Sequence, residues 1–148
     1  MLIGAIVMLL SVSLLAWWFR YACGLILKAK PARDHLRDVA AANELEVLGV
    51  QQDLPSTSEN IQLDILHGKL QRDYHLLYFL IHHTPTLRTE NVEQRVMMVD
   101  FEVMKACYGL MSLLSGSRAK WALEEMAQVV CYFANTLGER AGHTALAD

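Results

Sequence analysis

Residues 2–19 read LIGAIVMLLSVSLLAWWF, a run of eighteen residues without a charged side chain. At 1.5 Å per residue, a helix of this length covers about 27 Å, close to the thickness of the hydrocarbon layer of a membrane. Ser11 and Ser13 fit this environment because a hydroxyl in a helix can donate to the carbonyl one turn earlier. The stretch therefore predicts a transmembrane helix that anchors the rest of the chain.

Aromatic and basic residues follow the apolar run and mark where the helix leaves the membrane. Amphipathic rings prefer the headgroup level, and long basic side chains can extend from the interface towards headgroups. Residues 25–27 are apolar, so the helix is expected to continue through the interface as far as Pro31. Six residues are predicted to lie at the membrane interface: Trp17, Trp18, Arg20, Tyr21, Lys28 and Lys30.

The distribution of basic residues predicts the orientation of the anchor. No charged side chain precedes the apolar run, and five basic residues follow it within residues 20–37. Since Lys and Arg are enriched on the cytoplasmic side of a span, the C-terminal part is expected in the cytoplasm and the N-terminus outside. A cleaved signal peptide is the alternative, but a basic n-region and an A-x-A cleavage site are both missing. Lipidation of Cys23 is a further alternative, which Arg20 disfavours.

The chain beyond the anchor is long enough for one domain, and it is acidic. About 120 residues remain, which suffices for a single modest core. Beyond Ala40 the chain carries eight basic and fourteen acidic residues, a net charge of −6. Phosphate binding needs clustered Lys and Arg, so this balance argues against nucleic acid as a partner.

Composition and helical spacing predict the first two helices of this domain. Residues 32–48 are rich in Ala, Leu, Glu and Arg and indicate a juxtamembrane helix that ends at Gly49, with a linker over residues 51–60. Ser56 and Glu59 have the spacing of a capping box, so a long helix is expected over residues 59–83. Its predicted buried face consists of Leu63, Leu66, Leu70, Tyr74, Leu77 and Ile81.

The C-terminal half of this long helix is apolar on all sides over residues 76–81. A contact with one other helix cannot bury such a surface. This half is therefore expected either at the centre of a bundle or against another subunit or lipid. Thr84 and Pro85 should end the helix, and Thr89 with Glu90 should begin the next one, which runs to about Leu114.

The next predicted helix carries two apolar stripes. One is expected to face the core: Val96, Val99, Val103, Cys107, Leu110 and Leu114. The other lies beside it: Met97, Phe101, Met104, Tyr108 and Met111. A single neighbouring helix cannot cover both, so the helix is either buried on two sides or presents the methionine-rich stripe to another protein. With Tyr78 and Phe79, the methionine-rich stripe forms the predicted partner-contact surface.

The last predicted helix covers residues 118–140, after a tight connection in which Gly116 takes a left-handed conformation and Ser117 is the N-cap. Its buried stripe is expected to be Ala119, Ala122 or Leu123, Met126, Val130, Phe133 and Leu137. Strand and hairpin signals are missing.

The sequence therefore predicts an all-α protein: one transmembrane helix, followed by a cytoplasmic antiparallel bundle of three long helices with a shorter juxtamembrane helix. The expected boundaries are residues 1–30 for the anchor, 31–58 for the juxtamembrane helix and linker, 59–141 for the bundle and 142–148 for a frayed tail.

Residues that could carry chemistry are few. A phosphate-binding loop and a nucleophile elbow are both missing, so we expect no enzyme, no cofactor and no small-molecule substrate. Asp64 and His67 are three residues apart on one helix and could hold one edge of a metal ion, with further ligands from Glu93, Asp100 or Cys107. The alternative is that these residues are solvated or paired. Three cysteines without a CxxC pair predict free thiols, with a Cys107–Cys131 disulfide as the alternative.

An anchor, a helical domain without catalytic motifs and an excess of apolar helix surface favour one function. The chain is expected to be a noncatalytic single-pass membrane subunit that contacts the lipid bilayer and docks on other proteins of a larger assembly. A bacterial inner membrane is the expected location. A membrane-tethered signalling or sensory module that dimerises through the helix at residues 63–81 is the alternative. A metal or redox site at Asp64 and His67 is the third hypothesis.

Overall fold

The computed structural model describes residues 2–29, 35–57, 60–83 and 91–145. In these ranges the chain forms only helices, which confirms the predicted all-α class. The helices are α1 (Leu2–Lys28), α2 (Leu36–Asn43), α3 (Val47–Asp53), α4 (Asn60–His83), α5 (Val92–Ser112) and α6 (Gly116–Ala145). The chain divides into two compact units, Met1–Lys30 and Pro31–Asp148.

Helix α1 is continuous through the apolar run and beyond it, as predicted. Its 27 residues correspond to roughly 40 Å at 1.5 Å per residue. Ser11 and Ser13 donate to the carbonyls of Val7 and Leu9 at 2.9 and 2.8 Å, so both hydroxyls are satisfied within the helix. Of the helices described, α1 is the one that is long and apolar enough to cross a membrane. Pro31, predicted to end the helix, and Lys30, predicted to lie at the membrane interface, are outside the described residues.

The region after the predicted anchor contains two short helices where the sequence predicted one. Helix α2 ends at Asn43, and the C-cap residue Glu44 that follows has a left-handed conformation with φ 51°. Helix α3 then begins at Val47, and Gly49, the predicted end, lies inside it. The predicted linker is also partly helical, because α3 runs to Asp53.

A residue from the long helix α4 explains this break. The buried Asp73 carboxylate accepts hydrogen bonds from the backbone amides of Glu46 at 2.7 Å and Val47 at 2.8 Å. These are amides of the first turn of α3, which have no partner within the helix. The carboxylate therefore caps α3 from a position 26 residues away from Val47 in the sequence.

Helix α6 lies at the centre of the domain and packs against α2, α3, α4 and α5. The predicted stripe of α6 is buried, with both Ala122 and Leu123 in it, and so are Ala127, Val129 and Ala134. Small residues allow close approach: the N–H of His35 donates to the side-chain oxygen of Asn135 at 2.9 Å, and Gly138 faces His35 and Val39. The central helix is therefore α6 rather than α4, where Tyr78 and Phe79 are exposed.

Both predicted ends of the last helix differ from the structure. Helix α6 begins at Gly116, where the Ser115 carbonyl accepts from the amides of Arg118 and Ala119, both at 3.1 Å. The described glycines all have negative φ, so the left-handed Gly116 and the Ser117 N-cap were wrong predictions. At the other end α6 continues to Ala145, beyond the predicted end at residue 140.

The structure does not test the capping box predicted at the start of α4. The Ser56 hydroxyl donates to the Asp53 carbonyl at 2.9 Å. Glu59, its expected partner, lies outside the described residues, as do Thr84, Pro85, Thr89 and Glu90. The predicted face of α4 is buried over its whole length, from Leu63 to Ile81.

Candidate functional site: an exposed apolar ridge and groove on helix α5

The structure reverses the predicted roles of the two stripes on α5. The methionine-rich stripe, predicted as a partner surface, is the one that packs inside the domain. Met97, Phe101, Met104 and Tyr108 are at most 3% exposed, whereas Met111 is half-buried. The stripe predicted to face the core is largely on the surface: Val99, Val103, Leu110 and Leu114 are exposed, and Val96 and Cys107 are half-buried.

Contacts between aromatic rings explain why the methionine-rich stripe, and not the valine stripe, is buried. The rings of Tyr74 on α4 and Phe101 on α5 stack with centroids 3.8 Å apart. The rings of His67 and Tyr108 stack in the same way at 4.4 Å. Large rings and flexible Met side chains fill the space between α4, α5 and α6 more completely than Val residues could. The valine stripe is left facing outward.

The outward face of α5 is a regular heptad seam, which we call the α5 ridge. It consists of seven apolar residues that alternate steps of four and three, the last of which is the C-cap residue of α5: Val92, Val96, Val99, Val103, Ala106, Leu110 and Leu113. Val92, Leu110 and Leu113 are 78%, 70% and 86% exposed. Seven residues at this spacing lie along one side of a helix for three heptads, as they do in a helix that packs against a second helix.

A groove runs beside the α5 ridge, between α4 and α5. It has a volume of about 630 Å³ and an open mouth. Its lining residues come from both helices: Tyr74, His75, Tyr78, Met98, Val99, Glu102, Val103 and Ala106. Val99, Val103 and Ala106 belong to the ridge as well, so the ridge and groove form one continuous apolar surface.

The groove has a few polar groups at fixed positions. The Glu102 carboxylate accepts from the Lys105 ammonium at 2.8 Å, and His75 Nδ1 lies 2.7 Å from the Gln71 carbonyl. Burial, and secondarily the Glu102 charge, raise the pKa of Tyr74 to about 12. Tyr74 therefore remains a neutral phenol at physiological pH. A surface of this kind can bind an apolar partner and orient it.

Tyr78 and Phe79 are the two predicted contact residues that do lie on the surface, at 40% and 57% exposure. Each ring stacks on a histidine one turn later: His82 on Tyr78 and His83 on Phe79, both with centroids 4.1 Å apart. Tyr78 lines the groove, so it extends the candidate surface onto α4.

The predicted metal candidates Asp64 and His67 are both in contact with Tyr108. The Tyr108 hydroxyl donates to Asp64 Oδ1 at 2.6 Å while its ring stacks on His67. Burial lowers the pKa of His67, and burial together with the hydrogen bond to Asp64 raises the pKa of Tyr108. This arrangement is a packed polar contact between α4 and α5.

The residues proposed as further ligands do not gather around Asp64 and His67. Glu93 is exposed, Asp100 is buried and Cys107 is half-buried on a different face of α5. Over the described ranges, the structure contains no group of three His, Cys, Asp or Glu residues that could hold a metal ion. The three cysteines are free thiols, and Cys131 accepts a hydrogen bond from Gln51 at 3.3 Å.

The buried face of α4 is also the one through which the dimerisation hypothesis would pair two copies of the chain. Leu63, Leu70, Leu77 and Ile81 are at most 2% exposed, because α4 packs this face against the rest of its own domain. Symmetric pairing of two copies through that face is incompatible with the folded domain.

Comparison of the chain with protein-family models, curated proteins and solved structures finds no match in any of the three.

Sequence analysis missed three members of the ridge, Val92, Ala106 and Leu113. The spacing alone could not have identified them. With these residues included, the outward stripe keeps an uninterrupted heptad from residue 92 to 113, but the buried methionine-rich stripe alternates the same steps of four and three from Met97 to Met111.

Proposed function

We propose that this protein is a noncatalytic, single-pass membrane subunit whose helical domain docks on other proteins of a larger membrane assembly. The observation that carries the proposal is the α5 ridge, an apolar seam three heptads long on the surface of an otherwise well-packed domain. Monomeric soluble domains rarely expose a contiguous apolar surface of this kind unless it binds something. The adjoining groove, lined by Tyr74 and Tyr78, supplies the aromatic surface that is common at protein interfaces.

Helix α1 supports the membrane part of this proposal. Its apolar side chains are exposed along the helix, and Trp17 and Tyr21 stack with ring centroids 6.0 Å apart near its C-terminal part. A helix with this surface is stable in lipid, where its backbone polar groups are bonded internally. The basic residues after residue 19 favour a cytoplasmic domain and an outside N-terminus. The membrane proposed for this arrangement is a bacterial inner membrane. Protease added to spheroplasts, in which the outer face of the inner membrane is accessible, should then leave the domain uncut, and cleavage of the domain would contradict this orientation.

Copurification tests the docking function. The full chain, carrying an affinity tag, is extracted from its native membranes in a mild detergent, and the bound proteins are identified by mass spectrometry. We expect stoichiometric membrane partners with the unchanged chain. Val103→Glu and Leu110→Glu should lose them, because a charge on the ridge must be desolvated in the complex. A strictly monomeric, partner-free particle would overturn the proposal.

The matched control is Gln128→Glu, which places the same side chain on an exposed position of α6 away from the ridge. This variant should retain the partners. Circular dichroism should show the same helix content and melting temperature in all three variants, since the three positions are exposed. Partners that remain bound to both ridge variants would exclude the ridge as the docking surface.

A further inference from the structure

Two ring stacks span the space between α4 and α5, each of which also packs against α6. One is the stack of Tyr74 on Phe101. In the other, the ring of His67 covers the ring of Tyr108 at an interplanar angle of 17°. The Tyr108 hydroxyl donates to Asp64, one turn before His67, and Tyr108 is 3% exposed. Helix α4 therefore holds both the face and the hydroxyl of Tyr108.

His67 is bonded differently from the other histidines of α4. In His75, His82 and His83, Nδ1 lies within 3.1 Å of the backbone carbonyl one turn earlier. In His67, Nε2 is buried and has no hydrogen-bond partner among the described residues. A neutral imidazole tolerates this position because one of its ring nitrogens carries no hydrogen. An imidazolium carries N–H groups on both nitrogens, so it places an unpaired donor in the interior.

The groups around His67 do not offset this burial. Burial has the largest effect on the pKa of His67 and lowers it, the Asp64 charge raises it, and the Lys105 charge lowers it. Among the described residues, the charged groups that act on His67 are these two, and α3 and α6 contribute none. Lys105 is paired with Glu102 at 2.8 Å. Tyr108, the titratable group in direct contact, stays neutral because burial raises its pKa. The folded domain therefore favours the neutral His67 ring.

We propose that His67 is a pH switch in the contact between α4 and α5: the neutral ring holds α5 against α4, and the protonated ring releases it. The Nε2–H of an imidazolium needs an acceptor, and it reaches water or Asp64 only when the ring turns away from Tyr108. Once the stack is broken, the C-terminal half of α5 loses this contact with the N-terminal half of α4.

The switch lies beside the proposed docking surface. The lining of the groove extends along α5 to Ala106, two residues before Tyr108, and Leu110 of the ridge follows two residues after it. Release of this part of α5 displaces Leu110 from the groove and weakens docking. The effect on docking rests on the proposed function, whereas the switch itself does not.

The direction of the pH dependence follows from the lowered pKa. The unfolded chain binds a proton on His67 more readily than the folded domain does. The contribution of His67 to stability is therefore complete well above pH 6.5, the ordinary pKa of the group, and is lost as pH falls through 6.5 to the folded pKa. Acidification should release α5, and neutral pH should hold it in place.

Nuclear magnetic resonance of the full chain in detergent, with labelled histidine and tyrosine, measures the titration and the ring contact together. We expect His67 to titrate with a midpoint below 6.5, and its Overhauser contacts with the Tyr108 ring to disappear over the same pH range. Asp64→Asn keeps an oxygen acceptor for Tyr108 but removes the charge, so it should lower the midpoint, and Lys105→Gln should raise it. A midpoint at or above 6.5, or ring contacts that persist after protonation, overturns the switch.

Hydrogen exchange locates the release. The full chain is compared at pH 8 and pH 5, corrected for the intrinsic exchange rate, over residues 104–112 of α5 and, as the reference, residues 126–134 of α6. We expect the unchanged chain to lose protection at pH 5 in the first range and to keep it in the second. His67→Phe retains a ring on Tyr108 without a titratable group and should stay protected in both.

The matched control for this variant is His83→Phe, which replaces an exposed histidine at the end of the same helix. It should lose protection at pH 5 as the unchanged chain does. Circular dichroism at pH 8 checks that both variants have the helix content of the unchanged chain. Equal loss of protection in the unchanged chain and in His67→Phe overturns the switch.

Copurification at the two pH values tests the effect on docking. Membrane partners captured at pH 8 should be released at pH 5 from the unchanged chain and retained by His67→Phe. Equal release from both proteins overturns the effect on docking. If no partner is captured at pH 8, the proposed docking function fails, and the titration and the exchange experiment still decide whether His67 is a switch.

Discussion

The carboxylate of Asp73 on α4 accepts a hydrogen bond from the backbone amide of Val47, the first residue of α3, at 2.8 Å. Asp73 is fully buried, and Arg72 Nε lies 4.0 Å from its other oxygen. The amide of Glu46 donates to the same oxygen as Val47. The start of α3 therefore depends on a single side chain of another helix.

Replacing Asp73 should destabilise the domain. Asp73→Ala removes the acceptor of two amides and should lower the free energy of unfolding by about 2 kcal/mol or more. Asp73→Asn keeps one oxygen acceptor and should cost less, about 1 kcal/mol. Urea unfolding of the full chain in detergent, followed by circular dichroism, measures both. Asp53→Ala, at an exposed position on α3, is the control and should stay within about 0.5 kcal/mol of the unchanged chain.

The same carboxylate makes a specific pH dependence measurable. Burial raises the pKa of Asp73 above its ordinary value of 3.8, against the effect of the amides of Glu46 and Val47 and of the Arg72 charge. Since the folded state then holds the proton more readily than the unfolded chain, this contribution to stability is complete below the unfolded pKa and is lost as pH rises through the folded pKa. The prediction concerns the difference in free energy of unfolding between the unchanged chain and Asp73→Asn. This difference should increase as the pH is lowered from 7 to 4.

Taking this difference removes other titrations from the comparison. The pKa of Glu46 is lowered by its hydrogen bond with Lys69, at 2.7 Å, so its contribution falls as pH is lowered. Glu46 is present in both proteins, and this effect cancels to first order. A difference that shrinks on acidification would contradict the raised pKa of Asp73.

Adjacent residues on α5 provide a test of which stripe is the core. Met104 is 2% exposed and Val103 is 39% exposed, although the two side chains are neighbours in the sequence. Met104→Ala should lower the free energy of unfolding by about 2–4 kcal/mol, because it leaves a cavity. Val103→Ala should change it by no more than about 0.5 kcal/mol. Thermal unfolding and urea titration of both variants measure this, and equal losses would show that the ridge is buried.

Two glycines on α6 should respond oppositely to the same substitution. A Cβ at Gly138 would collide with the Cβ of His35 and lie 3.1 Å from Val39 Cγ2, so Gly138→Ala should destabilise the domain by about 1–3 kcal/mol. A Cβ at Gly142 meets nothing within 4 Å. Gly142→Ala should therefore raise the free energy of unfolding, by up to about 1 kcal/mol, through the better helix propensity of Ala. If both variants have the same melting temperature, the close approach of α2 and α6 is wrong.

The buried faces of α4 and α6 could be predicted from the sequence because their apolar residues follow a single helical stripe. From Leu63 to Ile81, and from Ala119 to Leu137, each predicted position is buried. The candidate site could not be predicted, because α5 has two stripes and both satisfy the spacing of a helix face. The prediction placed the stripe with Val96, Val99 and Val103 in the core, whereas the structure selects the stripe whose rings stack on Tyr74 and His67.

Local properties of the sequence by themselves determined that the chain is helical, that α1 is long and apolar enough to cross a membrane, and which faces of α4 and α6 are buried. These properties depend on composition and on spacings of a few residues. Tertiary structure decided the break between α2 and α3 and the outward face of α5. The first depends on Asp73, which is 26 residues from Val47, and the second on rings brought together from α4 and α5. Contacts between residues that are distant in the sequence form only in the folded chain. The spacing of neighbouring residues therefore does not indicate which of these contacts will form.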